Sequence, residues 1–151
     1  MTIELNKVYE FEVPNTKFGD LTQEELNSLF RDGRVASHFL EIQITKWFTE
    51  LQRKEVKRGR AKTDHIDNHN NLYEMKNFTK YGCKVMPSYQ YGGSREFNFI
   101  EYEQLAKETT YIICNIQKFP KIKVLFKNGN DMVKLFPKGL IDVKQEDILY
   151  A

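Results

Sequence analysis

The stretch TDHIDNHNNLYEMKNF, Thr63 to Phe78, decides how this chain is read. Its second half alternates, with Leu72, Glu74, Lys76 and Phe78 on one parity and Tyr73, Met75 and Asn77 on the other, which is the period of a β-strand. The polar run from Asn68 to Asn71 reads as a turn and TDHID as a preceding strand, so the whole stretch reads as a hairpin. In such a hairpin Glu74 and Lys76 leave one face roughly 6–7 Å apart while Met75 points away. Asp64, on the other arm, can return its carboxylate to the same place.

Carboxylates brought together repel, and a divalent cation bound by both removes that cost. Oxygen ligands without cysteine favour magnesium, which keeps several waters and bonds phosphate oxygens. A metal-bound water is easier to deprotonate, and a neighbouring Lys76 orients it or stabilises charge on a phosphorane-like transition state. The chemistry expected of Asp64, Glu74 and Lys76 is phosphodiester hydrolysis.

Two other readings stand beside it. Glu-x-Lys alone is a common tripeptide, and on an edge strand it is an ordinary exposed pair. Alternatively, DHIDNHNN belongs to an HNH nuclease, with His65 as general base and His69, Asn70 and Asn77 near the metal. That core requires a helix after the asparagines, whereas the sequence here alternates as a strand and no histidine follows His69. His38 reads as a helix residue.

Upstream lies RKEVKRGRAK, in which Arg53, Lys54, Lys57, Arg58, Arg60 and Lys62 oppose the single acid Glu55. It reads either as a solvated helix end or as a basic approach to a phosphate backbone through Arg58, Arg60 and Lys62. Further upstream, LTQEELNSLF carries a capping box at Thr22 and Glu25 and is closed by Asp32-Gly33. A longer helix is expected from about Val35 to Arg53, with Leu40, Ile44, Trp47, Phe48 and Leu51 at helical spacing.

Downstream, CKVMP is a short strand and SYQYGGSREFN a polar, glycine-rich loop. FIEYEQLAKE is helical, with Phe99, Ile100, Leu105 and Ala106 near one side, and TTYIICNIQ is a central strand. KIKVLFKNGN is a strand closed by an Asn-Gly turn, and GLIDVKQEDILY is mixed. The expected class is α/β (α+β), a mixed sheet flanked by helices.

At 151 residues, without internal repeats or linkers, the chain reads as one domain over 1–151. Its parts are a helical block at about 20–53 and a catalytic sheet region at about 63–126. The net charge of +2 does not by itself identify a nucleic-acid partner. Cys83 and Cys114 have no partners at zinc-ligand spacing and read as reduced packing residues. No apolar run approaches the roughly 18–20 residues that span a bilayer, and the charged N-terminus is unlike an export signal. The expected location is cytoplasmic, with no membrane partner.

On its acid, turn and Tyr-Glu-Met-Lys spacing, TDHIDNHNNLYEMKN resembles the PD-(D/E)XK nuclease superfamily, and within it the small Type II restriction endonucleases. The close match covers about fifteen residues, and Thr63 stands where the motif's name has proline. The resemblance implies a restriction-endonuclease-like core. It implies catalysis by Asp64, Glu74 and Lys76, and Mg2+ held by Asp64, Glu74 and the Met75 backbone carbonyl. Asp67, Asn68 and Tyr73 match accompanying positions without assigned chemistry. It further implies base-reading residues after the catalytic strand, for which Asn77, Ser88, Gln90, Ser94, Arg95 and Asn98 are the candidates. One catalytic set per chain implies a homodimer on a palindromic double-stranded DNA site. The helical block is a candidate dimer surface, although its apolar residues fit an internal core equally well. A DNA-binding module without catalysis, using the basic run and polar loop, remains the alternative of another class.

Overall fold

The computed structural model describes residues 2–54, 63–87, 90 and 96–151. Arg58, Arg60, Lys62, Ser88, Ser94 and Arg95 lie outside the described residues. The chain is mixed α/β, with a mixed sheet flanked by helices.

Strand β4, Leu72–Phe78, is the hairpin arm expected from the alternation. It pairs antiparallel with β3, His65–Ile66, and parallel with β6, Thr109–Asn115. β7, Lys121–Asn128, continues the sheet antiparallel to β6, and β1, Val8–Glu12, closes that edge beside β7. At the other edge β2, Gln52–Arg53, pairs with β3. Among the described residues the strand order is therefore β1-β7-β6-β4-β3-β2.

The alternation assigns each face of β4 to a different core. Tyr73 and Met75 pack with Leu40, Ile44 and Phe48 under one helical layer. Phe78 packs with Tyr102, Ala106 and Met132 under the other. The first layer is α2, Gly33–Trp47, preceded by α1, Gln23–Leu29; the second is α3, Phe99–Lys107, with α4, Gly129–Leu135. The parallel β4–β6 connection runs through α3, since parallel neighbours require a crossover.

A second small sheet pairs β5, Cys83–Lys84, with β8, Leu140–Ile141. Val85 and Met86 each donate a backbone N–H to the Gly139 carbonyl. The chain ends with α5, Glu146–Tyr150. No helix among the described residues is long and apolar enough to cross a membrane.

The Thr22–Glu25 capping box is present as expected. Four elements differ from the sequence reading. Asp32-Gly33 starts α2 instead of only stopping α1, because the Asp32 carboxylate accepts the Arg34 N–H as an N-cap. α2 ends at Trp47, and Arg53 leaves the helix because it pairs across to His65. Asn128-Gly129 starts α4 instead of turning a hairpin, with Asn128 as the cap. A β-carbon on Gly129 would fall 1.9 Å from the Ala106 carbonyl oxygen, so close backbone approach is what requires glycine there. In α3 the buried residues are Tyr102 and Ala106, while Phe99 and Ile100 are exposed. Ala36, Leu40, Ile44 and Phe48 of the helical block are fully buried within the chain, while Leu21, Leu29, Val35 and Ile42 of the same block are exposed.

Candidate active site

The hairpin turn is built on Asp67. Its carboxylate accepts the N–H groups of His69 and Asn71, the Asn71 side-chain amide and the Tyr73 hydroxyl, at 2.9–3.1 Å. Partial burial pushes the Asp67 carboxyl up, but these hydrogen bonds outweigh it and hold it below the ordinary aspartate range. Burial, and then the bond to Asp67, push the Tyr73 hydroxyl well above its usual value. Asn70 takes the left-handed conformation the turn needs, with φ of 64°.

This turn fixes the register Ile66 to Leu72 and His65 to Tyr73. Just beyond this pairing, Asp64 bonds back to β4 through both its backbone and its side chain. Asp64 Oδ2 accepts the Met75 N–H at 2.8 Å, and the Asp64 N–H donates to the Tyr73 carbonyl at 3.0 Å. Asp64 thus folds back onto the strand that carries Glu74 and Lys76. Lys76 is buried, and its ammonium donates to the Met86 carbonyl at 3.3 Å. Asp64, Glu74, Met75 and Lys76 line one open cleft of about 590 Å³.

Glu41, on α2, lines the same cleft, and the sequence reading missed it. Its carboxylate meets Arg53 Nη2 at 3.3 Å, and its backbone carbonyl lies 2.8 Å from His65 Nε2. A signal was available: an acid three and seven residues before Ile44 and Phe48 sits on the apolar stripe of the helix, where a carboxylate is costly without a role or a partner. Among the described residues no group of three or more Asp, Glu, His or Cys is gathered closely enough to hold a metal by itself. The donor set on the hairpin is two carboxylates. Magnesium is commonly bound by one or two carboxylates, with waters and substrate phosphates completing its shell.

The histidines take other places. His65 is buried on the opposite face of the hairpin from Asp64, against α2, while His69 lies in the exposed turn. The element after the asparagines is strand β4, where an HNH core needs a helix.

The described candidates for base contacts are engaged within the chain. Asn77 Nδ2 donates to the Gly33 carbonyl and the Ser37 hydroxyl, which ties β4 to the start of α2. Gln90 is buried, donates to the Asn98 carbonyl and the Glu101 carboxylate, and accepts the Asn98 N–H. The Asn98 side chain caps α3 by accepting the Glu101 N–H. Thr63 is fully buried, and its hydroxyl has no hydrogen-bond partner among the described residues. Cys83 and Cys114 are free and buried. Comparisons with protein-family profiles, curated proteins and solved structures found no match.

Proposed function

We propose that this chain is a magnesium-dependent, site-specific deoxyribonuclease of the Type II restriction class, built on a PD-(D/E)XK-like core. The observation that carries the reading is the hairpin register. It returns Asp64 to β4, where its carboxylate accepts the Met75 N–H between Glu74 and Lys76, and all three line one cleft. The mixed sheet flanked by helices, with a helix before the hairpin and strands after it, agrees in outline with the core the resemblance implies.

In this reading Asp64, Glu74 and the Met75 carbonyl hold Mg2+, which supplies an activated water and charge neutralisation at the scissile phosphate. Asp64 is held in place by the Met75 N–H, so its orientation does not depend on the ion. Lys76 donates to the Met86 carbonyl, which helps to fix its ammonium in the cleft, where its positive charge would stabilise charge developing on the phosphate. The substrate is double-stranded DNA carrying a palindromic site, cut by a homodimer in the cytoplasm, with one catalytic set on each strand.

The test is plasmid digestion by the purified protein. Discrete fragments are expected with magnesium and none in EDTA. Glu74→Gln and Lys76→Met should each lower the rate about 100-fold or more while retaining DNA binding. Undiminished cutting by Lys76→Met, or cutting in EDTA, would refute the assignment.

A further inference from the structure

The cleft does not stop at the acids. Beyond Thr79 it continues into a second cavity of about 630 Å³, and Asp32, Gly33, Arg34, Thr79 and Tyr81 border both. The character of the walls changes along this path. The first part holds Glu41, Asp64 and Glu74 beside Lys76 and Lys84, whereas the second adds Arg31 and Lys80 and no further acid; Arg34, on the border of both, pairs with Asp32 at 3.3 Å.

Tyr81 stands where the two parts join. It is the most exposed large apolar side chain among the described residues, at 84%. Its turn is rigid, since Thr79 and Gly82 exchange both backbone hydrogen bonds, and the Tyr81 N–H donates to the Thr79 hydroxyl. Gly82, at φ of 86°, lies so close to the C-terminal segment that a β-carbon would fall 2.1 Å from the Ile141 carbonyl oxygen. The turn is braced from behind, and the ring is held out in solvent. The Lys80 ammonium lies 5.1 Å from the ring centre.

An aromatic plane on a braced turn, flanked by cations and continuous with a phosphate-cleaving site, has the parts of a nucleobase platform. A ring can stack only on a base whose face is free, so its occupant is unpaired or unstacked. We infer that Tyr81 stacks on an unstacked base of the DNA strand lying in the cleft, next to the scissile phosphate, while Arg34 and Lys80 take flanking phosphates. This deepens the deoxyribonuclease reading and rests on it for the identity of the substrate. It adds a requirement that the duplex open locally at the cut.

The test measures binding apart from cleavage. The probe is a fluorescein-labelled 12-nucleotide single strand of mixed sequence in EDTA, read by anisotropy and compared with the same strand annealed to its complement. Tyr81→Ala should weaken single-strand binding roughly 5- to 150-fold, and Tyr81→Trp should preserve it. Arg34→Ala and Lys80→Ala should each flatten the salt dependence by about 0.7 in log–log slope. All of these side chains are on the surface, and matched thermal melts check that the variants fold. Wild-type protein that does not bind the single strand, or Tyr81→Ala binding within twofold of wild type, overturns the inference. If the wild type cuts plasmid and Tyr81→Ala binds normally, the nuclease stands and the platform falls. If binding depends on Tyr81 and no cutting occurs under any divalent cation, the platform stands and the nuclease falls.

Discussion

Replacing Asp67 with alanine removes the carboxylate that holds the hairpin in register. Four hydrogen bonds converge on it, two from backbone N–H groups, one from the Asn71 amide and one from the Tyr73 hydroxyl. The turn donors are exposed and water replaces much of what they lose, so together they contribute about 0.5–1 kcal/mol. The Tyr73 hydroxyl belongs to a buried residue, and its lost charged partner costs about 1–1.5 kcal/mol. The sum is about 2 kcal/mol, which for a chain of this size lowers Tm by roughly 4–8 °C. The carboxyl is held down in the folded state, so its charge-dependent contribution is complete above the unfolded value near about 3.9. It is lost as pH falls through the lower folded value. Urea denaturation of wild type and Asp67→Ala at pH 7 and at the acid limit of folding measures both effects. A gap under about 0.5 kcal/mol at pH 7, or one that does not narrow in acid, would refute this account of the turn.

Further outcomes concern the site and the core. Magnesium at a hundred times its dissociation constant should stabilise the wild type by about 2.7 kcal/mol, and Glu74→Gln should lose that shift in a thermal melt. Burial pushes the Cys83 thiol up to about 12 and Cys114 further, so neither should react with a thiol reagent at pH 8 until the protein is unfolded. Gly129→Ala should cost more than about 3 kcal/mol by denaturation, since its β-carbon meets backbone, whereas Gly19→Ala, where nothing lies within 4 Å and only the left-handed φ of 61° opposes a side chain, should cost about 1–2 kcal/mol. Glu41→Gln should keep the fold while lowering DNA cleavage, read as a rate at saturating DNA; an unchanged rate would remove Glu41 from the site.

The parts legible in the sequence were those set by local rules. The alternation from Leu72 to Phe78 determines which residues share a face, and the two cores divide along it. The Thr22 cap was readable because its partner Glu25 is three residues away. What was not legible depends on contacts distant in sequence. Asn-Gly at 128–129 carries the same letters whether it turns a hairpin or starts a helix, and here the Ala106 carbonyl more than twenty residues back decides. β1 was overlooked because an edge strand shows only a weak alternation, and its partner β7 lies at the far end of the chain. Gln90 reads as a free amide in a polar loop, and only the fold of Asn98 onto it reveals a packing role. Glu41, on α2, and Tyr81, in the turn after β4, line the same cleft as Asp64 and Glu74, and neither lies in the hairpin that announced it.

The route by which Lys76 is held has a consequence for the far end of the chain. The ammonium rests on the Met86 carbonyl, Met86 hangs from Gly139, and Gly139 in turn donates to Phe136. A lysine read as belonging to a local motif is therefore aimed by residues some sixty positions away. The segment around Gly139 acts as a strut for Met86, so a shift of that segment has a route of two hydrogen bonds to the Lys76 ammonium.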